Sequence, residues 1–118
     1  MTILTKILSI LVALEFIYIF YLETIITTSS ITGKVFKMSK EELENKNVQL
    51  LFKNQGIYNL LISVLIIIAT YIFVSTIWLK LILIYIILVA IYGGITSDKS
   101  IILKQAGIAI ITLITLFI

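Results

Sequence analysis

The sequence predicts an all-α membrane protein: a bundle of four transmembrane helices with one longer loop between the first and the second. Three observations carry this. Of 118 residues, 61% are hydrophobic, against roughly 45–50% in a soluble domain, and the mean hydropathy is strongly positive. The apolar residues fall in runs long enough to cross a bilayer, for which about 20 helical residues suffice. The polar residues gather in one stretch, 24–47, and in two short breaks further on.

The first span covers residues 3–23. It is apolar apart from Thr5, Lys6, Ser9 and Glu15, and Glu23 closes it. A cleaved signal peptide would also begin with a lysine and an apolar core. Here the apolar run continues past Glu15 and no small-x-small cleavage site follows closely, so the segment is expected to be retained. Residues 24–47 form the loop. Thr27-Thr28-Ser29-Ser30 and Gly33 read as turn. Ser39-Lys40-Glu41-Glu42 has capping-box spacing, which predicts a short helix from Ser39 running toward Val48. Residues 48–74 and 78–96 are the second and third spans, divided by a hairpin near Ser75 to Lys80, with Trp78 and Lys80 as interfacial anchors. Residues 101–118 form the fourth, after the polar turn Thr96-Ser97-Asp98-Lys99-Ser100. The whole, 1–118, reads as a single membrane domain.

Composition excludes several function classes. Cysteine and histidine are absent, which removes thiol chemistry and the commonest zinc ligands. No cofactor or metal motif is legible. All nine basic residues are lysines, spread along the chain, whereas a nucleic-acid binder clusters its charge with arginine. The partner implied is the lipid bilayer. Lysine-rich loops stay in the cytoplasm. The first loop and its edge hold Lys34, Lys37, Lys40, Lys46 and Lys53; Lys99 and Lys104 flank the third; Lys6 and Lys80 lie on the other side. Both termini are therefore expected outside.

Polar groups inside the apolar runs are the candidate site. Glu15 and Glu23 are about 80° apart around an ideal helix and about 12 Å apart along it, with Tyr18 on the same general face. On the second span Gln55 and Asn59, and likewise Asn54 and Tyr58, are spaced i, i+4. Tyr92 and Gln105 come from the third and fourth spans. These nine residues are expected to meet in an intramembrane ligand-binding pocket toward the cytoplasmic side. Intramembrane ionisable groups commonly mark function, although amides and phenols also serve as interhelical glue. Lys53 and Lys104 most simply snorkel to the headgroups. Glu15 stands apart, because a carboxylate at mid-depth costs several kcal/mol if charged and must be protonated or paired.

Leu11-Val12-Ala13-Leu14-Glu15, Tyr18-Ile19 and Tyr21-Leu22-Glu23 resemble the first-helix motif of the DUF1304 family of small bacterial membrane proteins. Val35-Phe36 fits its loop. Asn54-Gln55-Gly56-Ile57-Tyr58-Asn59 resembles its most distinctive motif. Val89-Ala90-Ile91-Tyr92-Gly93-Gly94-Ile95-Thr96 and Gln105 follow in the family's order. The chain departs from the pattern at Phe16, where the family commonly has histidine, at Leu60-Leu61, where it tends to Gly-Phe, and near Gly107-Ile108-Ala109, where its Pro-Ala is missing. The resemblance implies a four-helix integral membrane protein with shared Glu, Asn, Gln and Tyr residues; it brings no established activity.

The expected function is binding or transport of a small molecule or lipid headgroup, proton-linked through Glu15. Four short helices enclose little volume, so a transport path calls for a homodimer. Small multidrug exporters offer an architectural analogy in length, helix number and one membrane-embedded Glu in helix one. The alternatives are an enzyme acting on a lipid-like substrate, with Glu15 as general acid or base, and a structural or accessory subunit.

Overall fold

The computed structural model covers the backbone of residues 1–118 and describes every side chain except that of Ile101. Its helices are α1 (Ile3–Phe20), α2 (Ser30–Phe36), α3 (Lys40–Glu44), α4 (Lys46–Ile67), α5 (Thr76–Thr96) and α6 (Ser100–Thr115). Five-residue π-helical turns extend α1 through Tyr21–Ile25 and α4 through Ile68–Ile72. Among the described residues, three helical segments are long and apolar enough to cross a membrane: Ile3–Ile25, Lys46–Ile72 and Thr76–Thr96. At 1.5 Å per residue they are roughly 30–40 Å long. The apolar part of α6, Ile102–Thr115, is shorter.

Beside apolar residues such as Val12, Phe16, Leu22 and Ile66, the buried set is rich in small and polar side chains, while many large apolar ones lie outside. Small and hydroxyl-bearing residues are buried: Thr5, Ser9, Ala13, Ser63, Ala69, Thr70, Ala106, Ala109 and Thr112. Large apolar residues such as Leu4, Ile7, Leu14, Leu65, Trp78, Leu88 and Ile111 face outward. In water such a surface drives aggregation; in hydrocarbon it costs nothing, and helices associate through small residues that permit close approach. Two of the buried hydroxyls are satisfied within their own helices. Ser9 donates to the Thr5 carbonyl at 2.9 Å and Thr112 to the Ile108 carbonyl at 2.7 Å.

The chain divides into two compact units. The first comprises Met1–Glu15 and Val64–Ile118. Here α5 buries Leu79, Leu83, Ile86, Ala90 and Gly94, a stripe at i, i+3/i+4 spacing, and packs along α6. The α5–α6 contact is close at Gly94, where a β-carbon would lie 2.5 Å from Ile102 Cγ1. At one end of this unit the Thr5 and Thr115 hydroxyls are 2.8 Å apart, the Tyr71 hydroxyl donates to the Lys6 carbonyl at 2.8 Å, and the Lys80 ammonium stands 4.3 Å from the Phe117 ring centre. The α4–α5 hairpin is tighter than the sequence suggests. It turns at Val74, whose φ is 46°, and Ser75 caps α5 by accepting from the Trp78 N–H. Trp78 and Lys80 therefore belong to the first turns of α5, not to the connection.

The second unit is Phe16–Ser63. Its loop is more helical than the sequence indicates. Ser29 caps α2 through the Thr32 N–H, and Lys37 ends it in a left-handed conformation. The capping box at Ser39 forms, but its helix, α3, stops at Glu44. Asn45 is extended, and its side chain accepts from the Asn47 and Val48 N–H groups, so the chain restarts as α4. From there α4 runs through Gly56 without interruption. The Phe36 and Phe52 rings meet edge to face at 5.1 Å.

Candidate functional site

The π-helical turn places Glu23. A π turn leaves carbonyls without the usual i+4 partner, and threonines take them up. Thr27 donates to the Glu23 carbonyl at 2.7 Å, and the Thr32 hydroxyl lies 2.9 Å from the carbonyls of both Leu22 and Ile26. Backbone and side chain of Glu23 are thereby enclosed, and its exposure is 0%. Facing it, α4 presents Lys53, Gly56 and Asn59, three residues apart and so on one helix face. Thr24 donates to the Lys53 carbonyl at 3.0 Å. At Gly56 a β-carbon would fall 1.9 Å from Thr24 Oγ1 and 3.3 Å from Glu23 Cβ. Only a residue without a side chain lets α4 come this near. That approach brings the Asn59 amide within 2.5 Å of Glu23 Oε1, to which it donates.

The second carboxyl oxygen of Glu23, Oε2, is buried and has no hydrogen-bond partner among the described residues. A buried polar atom in that condition costs about 1–3 kcal/mol, so it is a place where a ligand's donor or a proton is stabilising. In the first unit, Glu15 is half-buried, and its Oε1 is likewise without a partner among the described residues.

Of the nine residues expected to form the site, the structure joins Glu23 and Asn59 directly. Tyr18, Asn54, Gln55 and Tyr58 lie in the same unit with exposed side chains. Glu15, Tyr92 and Gln105 belong to the first unit; Tyr92 is exposed, Glu15 and Gln105 partly so. The reading from sequence has Gly56 in its motif but gives it no part in the site, and it leaves out Thr24 and Thr32 altogether. Gly56 carries a legible signal: glycine inside an apolar helix costs about 1 kcal/mol and asks for a packing reason. Thr32 carries none, since nothing in its local sequence marks a hydroxyl that reaches ten residues back to Leu22.

Fold and buried carboxyls together define an all-helical protein with segments able to cross a membrane and acidic groups within them. Residues 10–117 match the model of the family described as "Protein of unknown function (DUF1304)", and the chain belongs to that family. It is 62% identical over 120 residues to the protein named "Uncharacterized protein YpaA" of Lactococcus lactis subsp. lactis (strain IL1403), with 99% of each chain covered. No solved structure matches the chain.

Proposed function

We propose that this chain is a multi-pass protein of the bacterial cell membrane that binds a small molecule or lipid headgroup carrying a cationic or hydrogen-bond-donating group, with a proton exchanged at Glu15. One observation carries the reading. Glu23 is fully buried, one of its oxygens is held by Asn59, and the other is left without a protein partner. An amine supplies both a charge and the missing donor, and charge-assisted hydrogen bonds are about twice as strong as neutral ones. In this reading α6 makes the fourth crossing. It is about 24 Å long by its residue count, a mismatch that a bilayer absorbs by local thinning. The lysine distribution supports both termini outside and the loop of residues 26–45 in the cytoplasm.

The test uses purified protein in detergent and a lipophilic amine, dodecylamine, with dodecanol as the uncharged control. Binding is read by native mass spectrometry. Saturable binding of the amine, weakened about tenfold or more in Glu23→Gln and reduced in Glu15→Gln, is the expected result. Amine binding no tighter than dodecanol, or unchanged in both variants, sinks the proposal. A structural reading has one observation in its favour, the close Gly56–Thr24 approach. It expects Glu23→Gln to lower thermal stability in detergent without any amine-dependent shift.

A further inference from the structure

The loop of the second unit holds a cavity of about 500 Å³, open on one side. It lies between α2 and α3. Its polar lining is Thr28, Ser29, Ser30, Lys34 and Lys40; Met38 and Leu43 supply the apolar part. No acidic residue lines it among the described residues, although Glu41, Glu42 and Glu44 lie on α3 itself. The carboxylates of Glu42 and Glu44 have partners of their own. Glu42 accepts from the Ser39 N–H at 2.9 Å. Glu44 stands 3.9 Å from the Lys40 ammonium, in a pair whose side chains are 56% and 86% exposed respectively. An ion pair so exposed is worth little, so Lys40 is readily drawn to a better anion.

The cavity depends on a close approach of its walls. Gly33 accepts from the Lys37 and Met38 N–H groups as α2 ends. A β-carbon at Gly33 would lie 2.9 Å from the Met38 carbonyl oxygen and 3.5 Å from Leu43 Cδ1. Leu43 is buried, so its side chain is a fixed wall and not a surface residue folded over by chance. Ser29 is already committed to capping α2. Thr28 and Ser30 are exposed at the rim, as is Lys34.

The geometry points to a binding site for a phosphate ester, the phosphate held by Lys34 and Lys40 with hydroxyl donors from Thr28 and Ser30, and the carbon portion lying against Met38 and Leu43. Two ammonium groups and two hydroxyls are donors suited to a tetrahedral oxyanion. A volume near 500 Å³ is in the range of small-molecule sites and is larger than inorganic phosphate requires. The apolar wall would then face water unless the ligand carried carbon. The same chemistry is offered by an anionic lipid headgroup and by a soluble sugar or glycerol phosphate. This site is separate from the carboxyl at Glu23 and takes a ligand of the opposite charge.

The two sources are distinguished with full-length protein in detergent titrated by calorimetry with dihexanoyl phosphatidylglycerol, glycerol 3-phosphate and phosphate-free dihexanoylglycerol. Saturable binding of at least one phosphate compound is expected. It should weaken tenfold or more in Lys34→Gln/Lys40→Gln and stay within threefold of wild type in Lys46→Gln/Lys53→Gln, which removes the same charge outside the cavity. Binding of the phosphatidylglycerol alone assigns the site to a membrane headgroup; binding of glycerol 3-phosphate with similar affinity assigns it to a soluble ester. If neither phosphate compound binds more tightly than dihexanoylglycerol, or if the two lysine pairs lose affinity equally, the proposal is overturned. Circular dichroism checks that the variants keep their helix content. Should Lys34→Gln/Lys40→Gln fail that check, Thr28→Ala/Ser30→Ala decides, with a threefold loss expected and an unchanged affinity counting against the site.

Discussion

Gly56 shows how a single missing atom organises its surroundings. Without a β-carbon, α4 approaches the Glu23 turn closely enough for Asn59 to reach the carboxyl. Gly56→Ala puts a carbon where Thr24 Oγ1 stands, and overpacking of this kind costs about 1–3 kcal/mol. We expect a lower melting temperature in detergent for Gly56→Ala and partial recovery in Gly56→Ala/Thr24→Ala, which removes the clashing hydroxyl. A double variant no better than the single one would show that the strain lies elsewhere. Glu42 gives a pH-dependent counterpart outside the membrane. The Ser39 backbone N–H, and then the Ser39 hydroxyl, hold its carboxyl below the ordinary value. Folding thus favours the ionised form. The cap contributes fully above the unfolded carboxyl's titration and is lost as pH falls through the lowered folded value. Titration of the Ser39 amide by NMR should track that lowered midpoint; a midpoint at the ordinary glutamate value contradicts the capping geometry.

Among the elements, the α4–α5 hairpin carries identifiable strain. Val74 is β-branched, exposed and held at a φ of 46°, a conformation that costs such a residue roughly 1–2 kcal/mol. Val74→Gly removes that cost, partly offset by the greater unfolded freedom of glycine. A net gain on the order of 0.5–1 kcal/mol is expected in a reversible unfolding assay, and a loss of stability would place the strain estimate in error. The local rules of the hairpin were legible only in outline: Ser75 as a cap is a recognisable signal, but a valine in the left-handed region is not. Likewise Ser39 and Glu42 announce a helix start by their spacing. The stop at Asn45 came from a side chain that captures the Asn47 and Val48 N–H groups, a competition with the helix that composition does not reveal.

At the scale of the molecule, apolar run length was enough to find the three long segments, because bilayer thickness sets their length independently of detail. The meeting of Glu23 with Asn59 was expected as part of a larger polar group. The role of the glycine that permits it, and that of Thr32 at the π turn, depend on partners beyond the local sequence and escaped a reading by spacing. The orientation proposed from lysine placement is open to a direct check, since the chain has no cysteine. Lys37→Cys should resist, and Trp78→Cys should accept, a membrane-impermeant maleimide added to intact cells; the opposite pattern inverts the proposed topology.

Thr32 has a last consequence. Its one hydroxyl lies against the carbonyls of Leu22, in the α1 extension, and of Ile26, which ends it, while its N–H secures the start of α2. Neither part can loosen without releasing the other, so they should exchange their amide hydrogens as one cooperative block. In Thr32→Val that block should come apart, with the residues around Leu22 and those of α2 gaining deuterium on separate clocks.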